Sequence, residues 1–160
     1  MKRWRVSKRE PDPAATLMTA SSPVTARLVI PSDPHRIAEA DEFLEGTLRE
    51  HGVPDSLVTD LAIAATELVN NAIIHGNKEN LSKTVTLTVT ISGDEVEIRV
   101  ADQGDGFHPN EVPSPLAEEN LLKEVGRGIF IVRSLMDEVE YEQVPGKGSV
   151  VVARKSLTSE

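Results

Sequence analysis

The sequence contains no cysteine and only five aromatic residues among 160. The lack of cysteine excludes disulfide bridges and thiolate metal sites, and it fits a reducing compartment. With so few aromatic residues, the core must be built mainly from Val, Leu, Ile and Ala. No apolar run approaches the ~18 residues that span a bilayer, and the basic amino terminus lacks the apolar stretch of a secretory signal. We therefore expect a soluble, cytoplasmic protein without a membrane segment.

Negative charge dominates, but it is unevenly spread along a chain whose formal net charge is −9. The first nine residues, MKRWRVSKR, carry five positive charges and no negative charge, which leaves −14 for the remainder. Because nucleic-acid binding depends on neutralising phosphates, this acidic body argues against direct contact with nucleic acid. The basic segment itself is either a solvated tail or a contact for an acidic partner.

The length allows one globular domain with its own core. Residues 1–22 are polar and rich in Pro, Ala and Ser, without periodicity, which predicts a flexible extension. Residues 23–155 are expected to form the single domain, and residues 156–160 a short tail.

Within the domain, hydrophobic periodicity predicts the secondary structure. Strands are expected at 24–30, 84–91 and 95–100, helices at about 34–50, 55–76 and from 126 onward, and a closing hairpin at the end. Tight turns join consecutive strands, so the sheet should be largely antiparallel. The expected fold is α+β: a two-layer sandwich in which a mostly antiparallel, mixed sheet carries helices on one face.

The second predicted helix carries a polar line within the sequence T-E-L-V-N-N-A-I-I-H-G-N, residues 66–77. Glu67, Asn71 and His75 are spaced four apart and therefore share one face of the helix. A solvated surface is one interpretation. However, the line lacks Lys and Arg and lies in the most apolar helix of the chain. A carboxylate and an amide carbonyl there would suit a base and a Mg²⁺ ligand.

Two glycine motifs follow. In A-D-Q-G-D-G-F, residues 101–107, an aspartate ends a strand, and the glycines allow a flat ligand to approach closely; an Asp-Gly turn is the alternative. In V-G-R-G-I-F-I-V, residues 125–132, free N–H groups at a helix start can bind phosphate; a hinge or a packing contact is the alternative. The second motif is not a dinucleotide fingerprint, because no parallel strand-turn-helix unit precedes it.

The three motifs in this order indicate a protein family far more specifically than any one of them alone. The sequence resembles the ATP-binding (Bergerat) fold shared by gyrase, heat-shock protein 90, histidine kinases and MutL. More narrowly, it is similar to the bacterial anti-sigma-factor serine/threonine kinases. The matching text is T-E-L-V-N-N-A-I-I-H-G, V-A-D-Q-G-D-G-F and E-V-G-R-G-I-F-I-V-R-S-L-M-D-E-V, and the resemblance covers about residues 24–154.

The resemblance implies a role for each matching residue. Glu67 would be the general base, Asn71 would ligate Mg²⁺ between the phosphates, and Asp102 would accept a hydrogen bond from the adenine amino group. His75 is expected to have a structural role. The other implied nucleotide-binding residues are Gly104 and Gly106 around adenine, Ser149 behind it, Gly126 and Gly128 along the triphosphate, and Lys123 or Arg127 as the phosphate-facing charge. The segment between the two glycine motifs would be a lid, with Glu124 where related kinases often carry arginine.

The resemblance further implies ATP and Mg²⁺ as cofactors, and an anti-sigma-factor antagonist and a sigma factor as protein partners. The expected activity is phosphorylation of a serine or threonine on the antagonist. Homodimerisation is a further implication. Two other functions stay open: a module that holds nucleotide and captures a partner without transferring phosphate, and a small ATPase. Sensor histidine kinases fit less well, because they usually carry asparagine where Glu67 stands.

Overall fold

A computed structural model of the chain describes residues 2–7, 22–104 and 124–158. Its strands are β1 (Lys2–Ser7), β2 (Val24–Pro31), β3 (Thr84–Ser92), β4 (Glu95–Ala101), β5 (Glu138–Val144) and β6 (Gly148–Ser156). Its α-helices are α1 (Ile37–Glu50), α2 (Asp55–Asn71) and α3 (Glu124–Leu135). A 3-10 turn at Pro34–Arg36 precedes α1, and a π-helical turn at Ala72–Gly76 continues α2.

The described strands form one six-stranded sheet in the order β1-β5-β6-β4-β3-β2. Every pairing among them is antiparallel. The helices pack on one face, so the expected α+β sandwich is confirmed, with an antiparallel rather than mixed sheet in the described part of the chain. β6 ends at Ser156, one residue beyond the expected domain boundary.

Strict alternation in β3 sets the register of the sheet. Its apolar residues Val85, Leu87, Val89 and Ile91 are buried, while the threonines between them lie on the other face. Leu87 stands opposite Val100, and Val89 opposite Ile98. A slip of one residue would turn this whole apolar set toward the open face, so burial specifies the pairing strongly.

The first helix begins and ends as its sequence predicts. The Asp33 side chain accepts a hydrogen bond from the His35 backbone N–H at 2.9 Å, and Pro34 occupies the first helical position. Beyond the carboxyl end of α1, Gly52 adopts a φ of +77°, which an L side chain adopts only with strain. The buried face of α1 consists of Ala40, Leu44 and Leu48.

The second helix lies between α1 and α3 and contacts both. With its π-turn it covers Asp55–Gly76, 22 residues that by length and composition alone are apolar enough to cross a membrane. In this fold 56% of an apolar 18-residue stretch of this segment is buried, as in the core helix of a globular domain. The π-turn closes with a hydrogen bond from the Asn77 N–H to the Ala72 carbonyl at 2.8 Å, and π-turns often mark functional sites.

The amino terminus differs from the expected flexible extension at Lys2–Ser7. This segment adds an edge strand to β5, with Arg3 opposite Glu142 and Arg5 opposite Glu140 in the register. The pairing was not evident from the sequence because it joins segments at opposite ends of the chain. Residues 8–21 of the expected extension lie outside the described residues.

Candidate nucleotide site

Two of the predicted motifs meet where α2 faces α3. Glu67 and Asn71 lie one turn apart on α2, and Gly128 of α3 lies directly against them. A Cβ atom built on Gly128 would stand 2.8 Å from Glu67 Oε2 and 3.3 Å from Asn71 Nδ2. The missing side chain at position 128 therefore lets a helix backbone approach the carboxylate and the amide closely.

Asn71 is buried, with 3% of its surface exposed, and has an unusual environment. Neither its Oδ1 nor its Nδ2 has a hydrogen-bond partner among the described residues. Leaving a buried polar group unpaired costs about 1–3 kcal/mol, so the amide indicates a place for a ligand. Its carbonyl oxygen is of the type that Mg²⁺ binds together with waters and phosphate oxygens.

The side chains around Asn71 fit a metal that arrives with a phosphate ligand. Within the described ranges, no group of three His, Asp or Glu side chains could hold a metal ion by itself. Mg²⁺ characteristically uses one or two protein ligands and completes its shell with water and substrate phosphates. The Asn71 amide beside the α3 backbone suits that mode of binding.

Asp102 lies at the end of β4 and is 8% exposed. Its Oδ1 accepts hydrogen bonds from the backbone N–H groups of Gly104 at 3.0 Å and Ser149 at 3.2 Å. Its Oδ2 accepts one from the Ser149 hydroxyl at 2.8 Å. A carboxylate offers about four acceptor positions, so one is left for a donor such as an exocyclic amino group. Asp102 is thus held in a polar cradle and keeps capacity for a ligand.

Three glycines let separate chain segments converge on Asp102. A Cβ on Gly76 would overlap the Asp102 carboxylate, and one on Gly104 would overlap the Gly76 carbonyl oxygen. A Cβ on Gly148 would overlap the Asp102 carbonyl, and Gly148 also adopts a φ of +108°. The end of α2, the loop after β4 and the start of β6 therefore meet with backbone against backbone.

Asn77 is a positioning residue that the sequence reasoning missed. It is 2% exposed, and its Nδ2 donates to Ser32 Oγ at 2.7 Å and to the Thr84 carbonyl at 3.0 Å. Its Oδ1 accepts from the Gln103 N–H at 2.8 Å, one residue after Asp102. Asn77 thus ties the end of α2 to the Asp102 loop. In the sequence, Asn77 is recognisable only as an asparagine that follows the glycine ending the helix. An exposed helix cap shows the same pattern.

The other predicted site residues lie on α3, in the π-turn or outside the described residues. Gly126 is buried and Arg127 exposed in the first turn of α3, whose first four N–H groups lack helical partners. The helix begins at Glu124, so the glycine pair lies within and just beyond that turn.

Gly106, Lys123 and the expected lid between the glycine motifs lie outside the described residues. His75 lies in the π-turn, where its structural role stays a prediction.

Comparison with known proteins agrees with this geometry. The family model of the histidine kinase-like ATPase domain matches residues 30–155. The anti-sigma F factor of Thermoanaerobacter sp. (strain X514) is 37% identical over 105 residues, which cover 64% of this chain and 73% of that protein. The serine-protein kinase RsbW of Bacillus subtilis (strain 168) is 29% identical over 139 residues, which cover 82% of this chain and 84% of that protein.

A solved structure shares the fold. The crystal structure of the RsbU and RsbW domains of a Mycobacterium tuberculosis protein matches 82% of this chain with a TM-score of 0.62 and 17% identity. The present chain spans 32% of that longer chain. Motif order, sheet topology, family match and relatives all agree, and the chain therefore belongs to the histidine kinase-like ATPase family, within the group of anti-sigma-factor serine kinases.

Proposed function

We propose that this protein is a Mg-ATP-dependent protein kinase that phosphorylates a serine or threonine on an anti-sigma-factor antagonist. Its second partner would be a sigma factor, bound as a protein, without direct contact to nucleic acid or membrane. We further propose a cytoplasmic location and homodimerisation. The observation that best supports the kinase is the Glu67 carboxylate, one helical turn from the unpaired Asn71 amide and against the Gly128 backbone.

Each part of the site has a chemical task in this proposal. The Asp102 cradle, closed behind by Ser149, would hold adenine through the acceptor position that remains free. The Asn71 carbonyl would hold Mg²⁺, and Gly126, Arg127 and Gly128 would lie along the phosphates, with Gly104 and Gly106 beside adenine and Lys123 in the lid. When bound, ATP would supply the phosphoryl group, and Mg²⁺ would neutralise negative charge on the phosphates.

Glu67 would orient the acceptor hydroxyl and take its proton on a carboxylate oxygen. Phosphoryl transfer asks mainly for positioning and charge neutralisation, and Glu67, the Mg²⁺ held by Asn71 and the glycine backbone would together serve both. Relatives named serine-protein kinase RsbW support this function over a nucleotide-holding module without kinase activity.

The direct test is transfer of label from γ-labelled ATP to a purified anti-sigma-factor antagonist protein. We expect label on a serine or threonine of the antagonist only when Mg²⁺ is present. Nucleotide binding without label on the antagonist would instead support the nucleotide-holding module. Phosphate release without any protein target would support a small ATPase.

Nucleotide binding should also stabilise the fold. At about one hundred times its Kd, Mg-ATP is expected to add about 2.7 kcal/mol to the free energy of unfolding, which raises Tm by about 5–10 °C. Asn71→Ala should lose the Mg²⁺-dependent part of this increase. Differential scanning fluorimetry with and without EDTA measures the effect.

The matched control for that experiment is Asn70→Ala, one residue earlier on α2. Its increase in Tm with Mg-ATP, relative to its own ligand-free value, should equal that of the wild type. An Asn71→Ala protein that keeps the full Mg²⁺-dependent increase would exclude Asn71 as the metal ligand.

A further inference from the structure

A groove of about 570 Å³ lies between α1 and α2. Its apolar lining residues are Ile37 and Ala38 from α1 and Ala62 and Ile63 from α2. Ile63 is 44% exposed, one of the few large apolar side chains with such exposure in the described part of the chain. Exposed apolar side chains that line a groove are typical of a surface that binds another molecule.

The charged residues that line this groove are all acidic. Asp41, Glu45 and Glu67 line it, and no Lys or Arg belongs to its described lining. Arg49 pairs with Glu45 at 3.0 Å and so compensates part of that charge. Burial raises the pKa of Asp41 and the charge of Glu45 raises it further, while a hydrogen bond with Thr66 and the charge of Arg49 lower it by less. The pKa is raised on balance, so a cation placed beside the ionised Asp41 would be stabilised.

The groove also adjoins the nucleotide site through one side chain. Glu67 lines the groove and also lies against Gly128, beside Asn71. The same carboxylate is thus accessible from the groove and from the nucleotide site. A hydroxyl at this end of the groove would reach Glu67 where that carboxylate borders the nucleotide site.

We infer that the groove between α1 and α2 binds the acceptor segment of the protein substrate and selects a segment that carries Lys or Arg beside an apolar residue. The inference rests on the proposed kinase function, since it assigns the acceptor hydroxyl to Glu67. Asp41 would bind the cation and Ile63 would contact the apolar side chain. Because Asp41 and Glu67 line the same groove, the cation would belong to the same short segment as the acceptor serine or threonine.

The test uses the full chain with a non-hydrolysable ATP analogue and two fluorescein-labelled peptides. Both peptides contain one serine flanked by leucine, and they differ only in one neighbouring residue, arginine or glutamate. We expect the arginine peptide to bind about five- to tenfold more tightly, as measured by fluorescence anisotropy. Asp41→Asn should remove most of this difference. Glu42→Gln, an exposed neighbour outside the groove, should preserve it.

The apolar contact has its own variant and control. Ile63→Asn should weaken binding of the arginine peptide at least as much as Asp41→Asn does. Val29→Asn, at a similarly exposed position of β2 outside the groove, should leave it unchanged. Loss of folding does not explain a defect in Asp41→Asn: because the folded-state pKa of Asp41 is raised, ionisation at neutral pH costs stability, and the variant should melt at the same or a higher temperature.

The outcomes separate this inference from the kinase proposal. If neither peptide binds, or if the arginine preference survives Asp41→Asn, the groove is not the acceptor site, and label transfer to the antagonist would still support the kinase. If the preference depends on Asp41 and Ile63 but no protein is labelled, the groove is a docking site and the kinase proposal fails.

Discussion

Replacing Glu67 by glutamine is expected to reduce phosphoryl transfer by about a hundred- to ten-thousand-fold, because the amide cannot take up the acceptor proton. Glutamine has nearly the same shape, so the close contact with Gly128 should persist. Binding of Mg-ATP, measured as the increase in Tm, should therefore remain. Transfer is measured with γ-labelled ATP and the antagonist protein.

Glu42→Gln is the matched control, since it makes the same chemical change on an exposed face of α1. It should keep wild-type transfer. If Glu67→Gln retained more than about a tenth of the wild-type rate, the base would contribute far less than general-base catalysis usually does, and Glu67 would not be that base.

Gly104→Ala is expected to destabilise the fold and to abolish nucleotide binding. The added Cβ would overlap the Gly76 carbonyl oxygen, which belongs to the backbone and cannot rotate aside. Separating the loop after β4 from the end of α2 should cost about 3 kcal/mol, the upper part of the range for overpacking. The same movement would displace the hydrogen bond from the Gly104 N–H to Asp102. Urea unfolding and a Mg-ATP titration measure the two effects.

Gly46→Ala provides the opposite control. Gly46 lies within α1, and a Cβ there would have no atom within 4 Å. Alanine in a helix interior is favoured over glycine, so this variant should gain about 0.5–1 kcal/mol. A Gly104→Ala protein as stable as the wild type would mean that the backbone segments around Asp102 are not in close contact.

Much of the fold could be read from local patterns. The alternation of β3 and β4 predicts two strands and, through burial, their register. The apolar spacing of α1 and α2 predicts both helices, and Asp33, Pro34 and Gly52 predict the limits of the first. These signals depend on neighbours in the chain, which is why they are visible without a structure. The motif order then indicated the family that the comparisons confirm.

The contacts around Asp102 were not predictable in the same way. Its partner Ser149 lies 47 residues further along the chain and reaches it only because β4 and β6 are neighbours in the sheet. Asn77, which holds the same loop, resembles an ordinary residue after a helix until its three partners are known. The pairing of Lys2–Ser7 with β5 is equally remote in sequence.

The sequence by itself determined the helices, the strands and which residue types could serve a nucleotide: the periodicity and the motifs are properties of short segments. Only the tertiary structure decided that Asn71 is buried without a partner, that backbone converges on Asp102, and that Glu67 lies between the nucleotide site and an acidic groove. The physical reason is that burial and contact depend on strands and helices brought together by the whole core, and no short segment contains that information.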